Sequence, residues 1–71
     1  MDEPRFTPRE IETLKYLQLG DTNKLIARAL GISECTVKIH IRSIMRKVHA
    51  SNRTQAVMRT RVNLLGPEVQ F

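Results

Sequence analysis

The feature that most constrains this chain is a helix stop followed almost at once by a helix start. In Leu30-Gly31-Ile32-Ser33 an apolar-periodic run ends at a glycine, and a serine opens the next periodic run within a few residues. Glycine adopts left-handed backbone angles without a Cβ clash and so ends helices, while a serine oxygen accepts a free N–H at a helix start. Two helices must therefore meet at a turn of three or four residues, which is the grammar of a helix-turn-helix.

The remaining segments extend this motif to an all-α bundle of four helices, expected at about 8–19, 22–30, 34–48 and 53–64. Thr7-Pro8-Arg9-Glu10 supplies an N-cap, a proline whose missing N–H costs nothing in the first turn, and the glutamate of a capping box. Ile11, Leu14 and Leu17 share one face, Leu19 ends the run, and Gly20 stops the helix. Asp21 and Thr22 are both suitable caps for the second helix, whose inward residues are expected to be Ile26, Ala29 and Leu30. Val37, Ile41, Ile44 and Val48 give the third helix its core stripe. After His49-Ala50-Ser51-Asn52, either Ser51 or Asn52 caps a fourth helix, which turns Ala56, Val57, Thr60 and Leu64 inward. Gly66-Pro67 ends regular structure.

With 71 residues the chain is expected to form one domain, its core at about 6–65. An apolar fraction of 41% against 27% charge is that of a folded globular chain. Cys35 is the only cysteine, so neither an internal disulfide nor a cysteine-pair zinc site can form. No apolar run approaches the roughly 20 residues that span a bilayer. The acidic Met1-Asp2-Glu3-Pro4 start is unlike a signal peptide, and a cytoplasmic location without membrane contact is the expectation.

The net charge of +5 is unevenly distributed. Residues 1–34 carry five basic and six acidic side chains, whereas residues 35–71 carry seven basic ones and a single acid, Glu68. Such a one-sided field suits a polyanion, because neutralising phosphates releases condensed counterions. A solvated basic face would have the same composition, so the pattern along the third helix must decide.

On a helical wheel Cys35, Lys38, Ile39, Arg42, Ser43 and Arg46 fall opposite the core stripe of the third helix or on its flanks. Ile39 lies where a purely structural helix would carry a polar residue. In a major groove, Lys38 and Arg42 could donate to guanine N7 and O6, and Ile39 could touch a thymine methyl. Ser33 and Thr36 stand at the helix start, where hydroxyls and free N–H groups suit a phosphate, although capping alone also explains Ser33. His40, at the edge of the core stripe, suits either a phosphate or a packing role. Lys24, Arg46, Lys47 and Arg53 are further candidates for phosphate neutralisation. On the fourth helix Met58, Val62 and Leu65 form a second apolar row away from the core, which suits the same helix of a second copy. The alternative is a protein-interaction module in which this row docks on a different partner and the basic face is solubilising.

Signals of catalysis, metal or cofactor are absent. His40 and His49 lie nine residues apart, and there is no HExxH or glycine-rich phosphate loop. Phe6, Tyr16 and Phe71 are too scattered for a base-stacking platform, which favours duplex over single-stranded nucleic acid.

Five segments, Thr7-Pro8-Arg9-Glu10, Asn23-Lys24-Leu25-Ile26-Ala27, Leu30-Gly31-Ile32-Ser33-Glu34, Thr36-Val37-Lys38-Ile39-His40 and Arg53-Thr54-Gln55-Ala56, resemble the LuxR/FixJ/NarL-type output domain of bacterial transcription regulators. The resemblance covers residues 6 to about 62 and keeps the order of the motifs. It implies sequence-specific binding of double-stranded promoter DNA, with Lys38, Ile39 and Arg42 at base-reading positions and the fourth helix as a homodimer contact. It also implies a receiver or sensor domain in a longer parent chain, unless this is a stand-alone member, and makes RNA polymerase a candidate further partner. Many relatives have glycine where this chain has His49, so a left-handed cap there would strain the histidine.

Overall fold

The computed structural model describes residues 5–65, with side chains described through Thr60. Four helices run in order, α1 (Pro8–Gln18), α2 (Asn23–Leu30), α3 (Glu34–Lys47) and α4 (Arg53–Leu65), and no strand occurs among the described residues. The architecture is the expected all-α bundle, with boundaries within about two residues of those read from the sequence.

Each helix start is a side-chain cap. The Glu10 N–H donates to Thr7 Oγ1 at 3.1 Å while the Thr7 N–H donates to Glu10 Oε1 at 2.9 Å, completing the capping box of α1. Thr22, and not Asp21, caps α2 by accepting the Leu25 N–H at 3.2 Å. Ser33 accepts the Thr36 N–H at 3.1 Å to open α3, and Asn52, not Ser51, accepts the Gln55 N–H at 2.9 Å to open α4.

The first three helices end alike. A left-handed residue (Gly20, Gly31 or His49) lets the next N–H reach back five residues, giving Asp21 to Tyr16 O at 3.1 Å, Ile32 to Ala27 O at 3.0 Å and Ala50 to Met45 O at 2.9 Å. Only the third uses a side-chain-bearing residue, His49 at φ +58°. Left-handed angles cost a Cβ-bearing residue about 1–2 kcal/mol, partly offset by the extra freedom glycine brings to the unfolded chain. His49→Gly is therefore expected to stabilise the domain by about 0.5–1 kcal/mol, read as a higher denaturation midpoint at unchanged slope. A lower midpoint would mean that the imidazole makes contacts that outweigh the strain.

The core is Leu14 and Leu17 from α1, Ile26 and Ala27 from α2, and Val37, Ile41 and Ile44 from α3, with Phe6, Tyr16, Leu30, Ile32, Met45 and Val57 packed around it. Val48 and Ala56 are also buried, and Ile11 is half-buried. The inward row expected for α2 needs correction, because Ala29 is exposed and Ala27 takes the buried place. The short helix turns toward the bundle the arc between Ile26 and Ala27, which also holds the half-buried Asn23 and Leu30, while Ala29 projects about 60° from Ile26 on the other side, into solvent. Leu64 lies outside the residues whose side chains are described.

Long side chains tie α4 to the rest. Arg59 Nη1 donates to Val48 O at 2.9 Å and His49 O at 2.7 Å, satisfying carbonyls left free at the end of α3. The buried Thr60 hydroxyl donates to Ala56 O at 2.7 Å and accepts from Gln18 Nε2 at 3.2 Å, joining α4 to α1. Among the described residues no buried side-chain polar atom lacks a partner.

Candidate nucleic-acid interface

α3 has two unlike sides. Val37, Ile41 and Ile44 are buried against α1 and α2, which leaves Cys35, Lys38, Ile39, Arg42 and Arg46 exposed along the opposite side. Ile39 is 62% exposed, although it is one of the larger apolar side chains of the helix. Within about 16 Å of helix axis the outward face thus offers three cations and one branched apolar side chain, with no carboxylate among them.

Ser43 does not belong to that face. It is half-buried, and its hydroxyl donates to Glu10 Oε2 at 2.7 Å. Glu10 is only 4% exposed, and its other oxygen accepts from Lys47 Nζ at 2.7 Å as well as from the Thr7 N–H. Burial raises the Glu10 pKa, but the Lys47, Thr7 and Ser43 hydrogen bonds together outweigh it and hold the carboxyl below the ordinary value of 4.5. The sequence pointed to Glu10 only as a capping-box residue. A capping box occupies one oxygen, and the second oxygen of a buried carboxylate needs a donor of its own; that was the available signal.

Two residues expected to neutralise phosphate are instead engaged within the domain. Lys47 Nζ donates to Glu10 and, at 2.8 Å, to Arg5 O, and it stands 5.8 Å from the Phe6 ring centroid. Arg53 donates through Nη1 to Asn23 Oδ1 at 2.7 Å and through Nη2 to Asp21 O, bridging α4 to the α1–α2 connection. Both cations are half-buried because neighbouring elements close over them, which wheel position alone does not reveal. Lys47 and Arg53 are thus held by internal acceptors, unlike the solvent-exposed cations Lys38, Arg42 and Arg46 of α3.

The other candidates remain accessible. Lys24 in the first turn of α2 and Arg46 in the last turn of α3 are exposed, and His40 is half-buried on the flank of α3. The Ser33 and Thr36 hydroxyls lie 2.9 Å apart at the start of α3, so one O–H of the pair remains available to a ligand. On α4, Met58 is 65% exposed, whereas the side chains of Val62 and Leu65 lie outside the described residues. Cys35 is a free, exposed thiol. Among the described residues no three His, Cys, Asp or Glu side chains gather as a metal site would require, and no helix is long and apolar enough to cross a membrane.

A short turn at Gly31–Ser33, a buried-backed second helix and a cationic outer face define a helix-turn-helix protein. Residues 4–60 match the family model described as bacterial regulatory proteins, luxR family. The chain belongs to that family and is a DNA-binding domain of the transcription-regulator type. It is 40% identical over 57 residues to the nitrate/nitrite response regulator protein NarL of Escherichia coli K12, a match covering 80% of this chain and 26% of the relative. It is 48% identical over 58 residues to the CsgBAC operon transcriptional regulatory protein of the same organism, covering 82% and 27%. With the transcriptional regulatory protein DegU of Brevibacillus brevis it shares 46% identity over 52 residues, covering 73% and 22%. The chain thus spans about a quarter of the length of the curated relatives it matches.

Proposed function

We propose that this domain binds promoter DNA sequence-specifically, laying α3 in the major groove with Lys38, Ile39 and Arg42 against base edges. The observation that carries this reading is the exposure of those three side chains on a helix whose reverse side is sealed in the core. Lys24, Ser33, Thr36, His40 and Arg46 are the proposed phosphate contacts, positioned on both sides of that helix and at its N-terminus. The regulator acts in the cytoplasm, and in a longer parent chain a receiver or sensor domain controls it; RNA polymerase is a further proposed partner.

Two copies pair through α4 by Met58, Val62 and Leu65 and place their groove helices on half-sites about one helical turn apart. The exposed Met58 supports this part of the proposal. Met58→Asp is expected to abolish cooperative binding to paired half-sites and to leave single half-site binding and folding intact, since the side chain is already in solvent. Cooperativity undiminished in that variant refutes α4 pairing.

Selecting bound duplexes from a random pool tests the whole reading. A recurring pair of half-sites is the expected result, and an unselected pool the contrary one. Salt separates it from docking of the apolar row on another protein: with about four or five phosphate contacts per subunit, affinity for a single half-site should fall several-hundredfold between 50 and 200 mM salt. Apolar docking would scarcely respond.

A further inference from the structure

We infer that Ser43, through Glu10, sets the rotational register of α3 and so acts as a positioning residue for base recognition without touching the duplex. This inference rests on the reading of α3 as the groove helix and asks what holds that helix at the required angle.

Apolar burial of Val37, Ile41 and Ile44 presses α3 onto the bundle, but burial is non-directional. The directional restraint is the Glu10 carboxylate, which is buried on α1 and receives two donors from α3 one turn apart, Ser43 and Lys47, each at 2.7 Å. The two ties differ in stiffness. Lys47 reaches across on a four-carbon stem that can follow a turning helix, whereas the Ser43 hydroxyl is one bond from its Cβ and couples the helix backbone directly to Oε2.

Ser43 lies one residue after Arg42 and four after Ile39, so the tie acts at the level of the base-reading side chains. The lever arm makes it matter. At about 6 Å from the helix axis, a rotation of roughly 10° carries a side-chain tip by about 1 Å. A hydrogen bond tolerates only about half of that between its short and long limits. Losing the Ser43 tie therefore degrades base contacts at several positions together, while phosphate contacts, which tolerate looser geometry, persist.

The test measures affinity for the duplex this chain selects from a random pool and for a random-sequence duplex, using the wild-type chain, S43A, S43T, E10A, the E10A/S43A double variant and, as control, R42A. Each is taken at a temperature where circular dichroism shows it fully folded. S43A is expected to lower the ratio of selected to random affinity about fivefold to tenfold with an unchanged salt slope, and S43T, which keeps the hydroxyl, to restore it. E10A should lose at least as much as S43A, because it severs the Ser43 and Lys47 ties together, and the double variant should lose no more than E10A, because the Ser43 hydroxyl acts only through the Glu10 carboxylate. Additive losses would show that Ser43 contacts DNA itself and overturn the inference. So would a ratio unchanged in S43A when R42A lowers it. If R42A also leaves the ratio unchanged, the groove assignment of α3 fails and the inference falls with it.

Discussion

Glu10→Ala is expected to cost about 3 kcal/mol of folding stability, seen as a drop of roughly 15 °C in Tm. The substitution strands Lys47, whose side chain is 30% exposed, and leaves the half-buried Ser43 hydroxyl without its acceptor. It also removes the N3 partner of the α1 capping box. Partial exposure lets the lysine recover some hydration, which places the cost near the lower end for a broken buried ion pair. A domain of this length holds only about 4–10 kcal/mol in all, so the variant should keep roughly 1–7 kcal/mol and unfold at a clearly lower denaturant concentration. A loss below about 0.5 kcal/mol in denaturant titrations would mean that the network is dispensable.

The same carboxylate makes the effect depend on pH. Its pKa in the folded domain lies below the ordinary 4.5, so its stabilising contribution is complete above that value and disappears as pH falls through the lower folded one. The gap in stability between the wild-type chain and the alanine variant should therefore be flat from neutral pH down to about 5 and narrow as pH falls below 4.5. A gap that widened on acidification would contradict the depressed pKa.

Arg42→Ala is expected to weaken binding to the selected duplex by about 1–3 kcal/mol, or some 5- to 150-fold. Binding to random duplex should fall much less, since only one charge is removed. Arg42 is exposed, so its truncation should change folding stability by no more than about 0.5 kcal/mol. Equal losses on both duplexes would make Arg42 a phosphate contact and overturn the groove assignment of α3. Arg42 and Glu10 thus act in opposite ways: one variant folds and misreads, the other retains every outward side chain on a helix that is no longer held.

The sequence by itself determined everything that depends on neighbours in the chain. Caps at Thr7 and Ser33, stops at Gly20 and Gly31, and the Val37, Ile41, Ile44 stripe each follow from backbone and side-chain chemistry within one or two turns. They suffice for four helices, for the helix-turn-helix and for the outward direction of Lys38, Ile39 and Arg42. The left-handed turn at His49 was foreseeable only through the resemblance, because many relatives carry glycine there.

Only the tertiary structure decided which polar residues are free. Wheel angle tells which way a side chain leaves its own helix, not what stands opposite it. Lys47 meets a carboxylate 37 residues away and Arg53 an amide 30 residues away, so two cations that look solvent-facing in sequence are consumed as internal ties. Ser43 changes role for the same reason. Hydrogen bonds saturate within about 3 Å, and it is the packing of distant segments that brings partners inside that distance.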